Sequence, residues 1–189
     1  MVGEIRDGET AEIAVQSALT GHLLISTIHA NSAPAVFVRL LEMGVKPFLL
    51  SGSMNLVMAQ RLIRKICPHC REQYQPRPDI WQEVQNTLMP IKDRLTQSEQ
   101  QLLMAPQVSL VQGKGCEQCN GAGYLGRQVV IEVMVPGEEL EHLVAKSASI
   151  SEFEKVARQQ GMVTMEQDGL IKVLNGETTI DEVWRVTKN

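Results

Sequence analysis

The sequence predicts an α/β fold, and three observations carry that prediction. Short β-branched runs alternate with capped amphipathic helices through the first 45 or so residues. A stretch punctuated by Pro and Gln, bounded by two Cys-x-x-Cys pairs, interrupts the alternation. Beyond the second pair, the pattern is one strand and then helix after helix.

Taken in order, residues 1–5 read as the end of a buried strand. Residues 8–20 read as a helix, because Ala11, Ala14, Val15 and Ala18 fall on one face at i, i+3, i+4 and i+7. Asp7 serves as its N-cap, Glu9 sits where the helix dipole favours an acid, and Gly21 ends it. Leu23–Ile28 reads as a short buried strand containing Ile25, Thr27 and Ile28. The next helix is capped by Ser32, carries Pro34 in its first turn, buries Val36, Phe37, Leu40 and Leu41, and stops at Gly44. Residues 47–66 predict a helix leading into a strand with the basic tail Gln60-Arg61-Leu62-Ile63-Arg64-Lys65. Helices are expected at 78–88 and 96–104, and a strand at 128–134. Further helices are expected at 137–146, at 150–160 behind Ser149, at 164–174, and finally behind a Thr179–Glu182 capping box.

Composition narrows the function. Apolar residues make up 43% of the 189, enough for a core, but aromatics only 4%, so the core is aliphatic. The formal net charge is -4, with a pI near 5.6. That balance argues against direct nucleic-acid binding and against a surface that coats anionic membranes. No apolar run approaches the roughly 20 residues that cross a bilayer, and no signal peptide is read. A soluble, cytoplasmic protein is expected.

Two positions suggest chemistry. Glu4 ends one strand and His29 ends the next, and parallel sheets bind ligands beyond the carboxyl ends of their strands. Hydrolysis of a nucleoside triphosphate needs a carboxylate so fixed, to orient or deprotonate water. The same residues also suit a solvated helix start and a hydrogen-bonded structural histidine. His22 begins the second strand, roughly 20 Å from His29 by the per-residue rise. It therefore has a positioning or interface role.

Cys67-Pro68-His69-Cys70 and Cys116-Glu117-Gln118-Cys119 suit Zn²⁺. Each turn aims two sulfurs at one point, and two turns close a tetrahedron. The intervening 71–115 segment is long for a zinc ribbon. Closing a longer loop costs only about 0.6 kcal/mol per doubling, far less than a structural zinc contributes. Redox chemistry at Cys67-Pro68-His69-Cys70 would need that motif to open a long helix, and Arg71–Pro76 holds none. His69 is read as a bystander.

Val2-Gly3-Glu4-Ile5-Arg6-Asp7 is similar to the Walker B region of the type II secretion and type IV pilus assembly ATPases. Thr20-Gly21-His22 through Ser26-Thr27-Ile28-His29 resembles that family's histidine box. Gln60–Arg64, both cysteine pairs and Gly123-Tyr124-Leu125-Gly126-Arg127 come next in the family's order, so the resemblance covers nearly the whole chain. It implies a partial RecA-like sheet with helices on both faces (residues 1–66), a small zinc-binding insert (67–119), and a final strand with a helical C-terminal extension (120–189). It further implies that Glu4 and His29 are catalytic, that Arg6, Asp7 and His22 belong to the nucleotide-binding network, and that Cys67, Cys70, Cys116 and Cys119 hold zinc. ATP, Mg²⁺ and Zn²⁺ are the expected cofactors. The family forms homo-hexamers, peripheral to the cytoplasmic face of the inner membrane, with platform and pilus or secretion proteins as partners. No G-x-x-x-x-G-K-[ST] phosphate loop occurs in the sequence, so the chain is expected to be a C-terminal portion of the motor, with little activity alone. The alternative is a zinc-stabilised interaction module with no activity of its own.

Overall fold

The structure, a computed structural model, describes residues 1–188. It is mixed α/β. In chain order the elements are α1 (Gly8–Leu19), α2 (Ala33–Glu42), α3 (Pro47–Leu50), β1 (Val57–Ile66), β2 (Arg71–Tyr74), α4 (Pro78–Leu88), α5 (Gln97–Met104), β3 (Leu110–Gly113), β4 (Tyr124–Met134), α6 (Glu138–Ala145), α7 (Ile150–Gln159), α8 (Met165–Leu174) and α9 (Ile180–Thr187). Among the described residues two two-stranded sheets form, β1 with β4 and β2 with β3. The described residues divide into two compact units, residues 1–59 with 132–162, and 60–131 with 163–188.

In the first unit, α1 buries Ala11, Ala14 and Val15, the small-residue face its spacing predicts. Helix α2 buries Val36, Phe37 and Leu40, and the Phe37 ring stacks on Phe153 of α7 with centroids 5.2 Å apart. Gly8 has a structural reason to be glycine. A Cβ there would lie 2.3 Å from the carbonyl oxygen of Met43, so α1 begins against the end of α2.

The expected buried strand at Leu23–Ile28 is corrected. The segment is extended but joins the first residues of the chain through a single parallel bridge, Ile5 to Ile28. Val2 N–H donates to Ile25 O at 3.1 Å and Ile5 N–H to Thr27 O at 2.8 Å. Pleating sends alternate side chains to opposite faces. Leu24 and Ile28 pack inward, whereas Leu23 is 83% and Ile25 61% exposed. One face is covered instead of two.

In the second unit, Trp81, Val84, Leu88, Leu103, Leu170 and Val183 form the core. Helix α8 approaches α9 closely: a Cβ on Gly169 would meet Val183 at 2.7 Å. Helix α4 has the predicted bounds, and α5 opens with a Thr96–Glu99 capping box. Three features differ from expectation. The helix after residue 47 is only one turn. Strand β4 starts at Tyr124, four residues early. The β2–β3 pair is unanticipated, because Arg-Glu-Gln-Tyr shows no apolar alternation.

Candidate functional site

The first cluster is built where the chain enters α1. Thr27 Oγ1 donates to Gly3 O at 2.9 Å, and the Ile5–Ile28 bridge sets the two segments side by side. Glu4 and His29 are thereby brought together. His29 Nε2 lies 2.7 Å from Glu4 Oε1. Arg6 grips the other oxygen with two nitrogens, Nε at 2.6 Å and Nη2 at 2.5 Å from Oε2. The carboxylate is the shielded member, its side chain 22% exposed against 91% for His29 and 76% for Arg6. Hydrogen bonding from Arg6 holds the Glu4 carboxyl below its usual range, aided by the charges of Arg6 and His29 against an opposing effect of burial. A carboxylate flanked by an exposed guanidinium and an exposed imidazole can hold a water and contact an anion.

Asp7 turns the other way. Its Oδ1 accepts from Thr10 N–H at 2.9 Å and its Oδ2 from Thr10 Oγ1 at 3.1 Å, so it caps α1. His22 is exposed and meets Thr20 Oγ1 at 3.1 Å through Nδ1, after the end of α1.

The second cluster joins both cysteine pairs. All four sulfurs lie within 4.8 Å of one another. Cys67 and Cys116 are 3.9 Å apart, Cys70 and Cys119 3.9 Å, Cys116 and Cys119 3.7 Å. A tetrahedron with Zn–S bonds of about 2.3 Å has edges of about 3.8 Å, so the set is compatible with zinc. Amides support it, Cys116 N–H and Gly123 N–H donating to Cys119 Sγ at 3.2 and 3.3 Å. The Cys116 amide pulls the Cys119 thiol down to about 6, whereas burial pushes Cys70 up to about 12. Three thiols are buried and Cys116 is half-buried, and His69 is exposed, as a bystander would be. The turns close because backbone meets backbone. A Cβ on Gly113 would stand 2.0 Å from Gly123 O, and Gly123 itself has φ +76°.

Helix α9 carries a buried acid whose local spacing marks it only as a cap. Glu182 accepts from Arg64 N–H, from the Arg64 guanidinium and from that of Arg185, at 2.7–3.0 Å. The Thr179–Glu182 capping box is therefore half-formed. Thr179 Oγ1 accepts from Glu182 N–H, but the carboxylate turns to the arginines. Nothing in that spacing points to a partner 118 residues away.

The mixed α/β fold agrees with comparison to a solved protein. The chain's fold is similar to that of the ATPase DotB of Yersinia pseudotuberculosis, with a TM-score of 0.59 over 98% of this chain and 36% of that one, at 16% identity. Residues 1–185 match the family model for type II/IV secretion system proteins, and the chain belongs to that family. It is 43% identical over 183 residues to the type IV pilus assembly ATPase PilB of Thermus thermophilus, covering 97% of this chain and 19% of that protein. It is 44% identical over 188 residues to type II secretion system protein E of Pseudomonas aeruginosa, covering 100% of this chain and 34% of that protein. The chain thus spans between a fifth and a third of these relatives. Among the described residues, no helix is long and apolar enough to cross a membrane.

Proposed function

We propose that this chain supplies the acid–histidine half of an ATP-hydrolysing site in a motor that powers type II secretion or type IV pilus assembly. The observation that carries this reading is Glu4 gripped between Arg6 and His29. Glu4 orients the attacking water. Its lowered proton affinity suits orientation and charge placement better than full proton capture. The exposed His29 imidazole reaches toward the γ-phosphate as a donor. Arg6 balances the carboxylate, Asp7 fixes the start of α1, and His22 has a positioning role at the far end of its segment. Mg²⁺, when bound, would offset the charge of the β- and γ-phosphates.

Cys67, Cys70, Cys116 and Cys119 would hold one Zn²⁺, which would act as a structural staple and not as a catalyst. We place the motor at the cytoplasmic face of the inner membrane, peripherally bound, as a homo-hexamer. Its partners are platform and pilus or secretion proteins, and it has no direct nucleic-acid partner.

The test is ATP turnover by a version extended to the length of the relatives, carrying Glu4→Gln. The expected result is a loss of roughly 100-fold or more in kcat. Undiminished hydrolysis with Gln at position 4 refutes the assignment. One observation favours the second reading, a zinc-stabilised interaction module: these 189 residues contain no phosphate loop. An extended protein that binds its partners yet hydrolyses no ATP selects that reading.

A further inference from the structure

The opening turn of any helix carries N–H groups without intrahelical partners. In α2 they can be followed one by one. Ala35 N–H donates to Ser32 Oγ at 3.3 Å, and Pro34 has no N–H. Ala33 is fully buried and out of reach of water, and its N–H donates to Glu132 Oε1 at 2.6 Å. Glu132 lies 99 residues along the chain, in β4, and is itself only 5% exposed. A carboxylate is costly to bury unless it is engaged, and the start of a helix is where a negative charge is most favourable.

The segment before Ala33 carries His29. Ile28 is bridged to Ile5, His29 comes next, and residues 30–32 lead into α2. His29 is thus strung between two fixed points four residues or fewer away, the bridge at Ile28 and the Glu132 contact at Ala33. The bridge fixes the near end of this turn, and the Glu132 contact fixes the backbone at its far end.

We propose that Glu132 is a positioning residue for the Glu4–His29 pair, its carboxylate pinning the start of α2 and so the turn that presents the His29 imidazole to Glu4. The functional weight of this inference rests on the proposed roles of Glu4 and His29; its structural content does not. Glu132 contacts neither substrate nor reacting atoms. It acts through the backbone of Ala33.

The experiment tracks the His29 ring by ¹H–¹⁵N correlation NMR on the 189-residue chain, assigned with His29→Gln. Glu4→Ala supplies the scale, since it removes the ring's partner outright. Glu132→Ala is expected to move the ring signal at least about halfway to its Glu4→Ala position, with Ala33 amide exchange at least about ten-fold faster. Glu132→Gln keeps an acceptor oxygen and is expected to restore both. A ring signal unmoved in Glu132→Ala, or moved as far in Glu132→Gln, overturns the proposal. Should Glu132→Ala not fold, Glu132→Asp, which withdraws the carboxylate by one methylene, is held to the same outcomes. In the extended protein, Glu132→Ala should lower kcat about ten-fold with KM for ATP within about two-fold, and Glu132→Gln should rescue it. A displaced ring with unchanged kcat overturns the positioning role. If Glu4→Gln leaves hydrolysis intact, the Glu4 assignment fails separately, and the ring measurement alone decides for Glu132.

Discussion

Glu182 and Arg64 are joined three times over: Arg64 N–H reaches Oε1 at 2.9 Å, while Nε and Nη2 reach Oε2 at 3.0 and 2.7 Å. Arg185 adds contacts to both oxygens, so a fully buried carboxylate is satisfied by two guanidinium groups and an amide. The Arg64 guanidinium also lies over the Tyr124 ring, 4.2 Å from its centroid, and Tyr124 Oη is 2.6 Å from Thr179 Oγ1. The last helix is thus tied to the strand that leads into the first cysteine pair.

Stability should therefore depend on acid at Glu182. Burial alone would push this carboxyl up, but hydrogen bonds from Arg185 and Arg64 pull it down to about 2. The folded pKa lies below the unfolded one. Its contribution is present above the unfolded value of about 4.3 and is lost as pH falls toward 2. A full shift of this size corresponds to at most about 3 kcal/mol, less whatever solvent screens at the exposed arginine edges. Urea unfolding between pH 5 and pH 2 should show a steep loss for the wild type and a flatter one for Glu182→Gln. At neutral pH, Glu182→Leu should cost roughly 1–3 kcal/mol, because the Arg64 N–H loses its acceptor while the two half-exposed guanidinium groups turn to water. Equal acid slopes in wild type and Glu182→Gln would remove Glu182 from the account.

The cysteine cluster predicts metal content. The purified, reduced chain should carry about one zinc, and Cys119→Ser or Cys67→Ser should lose it. Chelation should lower the melting temperature of the wild type and leave the metal-free serine variants unmoved. Four titratable thiols with no bound metal in freshly purified protein would contradict a zinc staple.

Gly113 offers a test of how the cysteine turns are closed. A methyl group there would overlap Gly123 O at 2.0 Å, and that oxygen is held in place because it accepts from Cys67 N–H at 3.0 Å. Gly113→Ala should destabilise the second unit by about 2 kcal/mol or more and weaken zinc retention against a competing chelator. Gly3→Ala is the control, because a Cβ at Gly3 meets nothing within 4 Å. Wild-type zinc retention in Gly113→Ala would show that the backbone approach is dispensable.

Local chemistry is legible in the sequence. Asp7 and Ser32 cap the helices they precede, Gly21 and Gly44 adopt positive φ where helices end, and α4 spans the residues its spacing indicates. The convergence of the cysteines is legible too, because two paired thiol turns have one common use. Features that depend on distant partners are hidden. The Leu23–Ile28 segment has the residues of a buried strand, but only a neighbour on each face makes a strand buried, and Leu23 has none among the described residues. Glu182 looks like a capping acid because the Thr-x-x-Glu spacing is local, while Arg64, which recruits it, is 118 residues away. Glu132 is invisible for the same reason: an acid in an apolar strand gives no sign of the helix start it will serve.

The grip of Arg6 on Glu4 makes the last prediction. Arg6 is the largest cause of the lowered Glu4 carboxyl, chiefly through its hydrogen bond and further through its charge. Removing that guanidinium in Arg6→Ala should let the Glu4 carboxyl rise toward its ordinary range, with the contact from His29 left in place. Carboxyl ¹³C titration of the chain should then show a higher midpoint for Glu4 in the variant, and added salt should narrow the difference, because the pair is exposed on the Arg6 side. In the extended motor, the acid limb of the kcat/KM profile should move in the same direction, to higher pH, as a carboxylate that must be ionised becomes easier to protonate. An acid limb that stays in place while the Glu4 titration moves would mean that another group governs it, and Glu4 would lose its claim to the hydrolytic water.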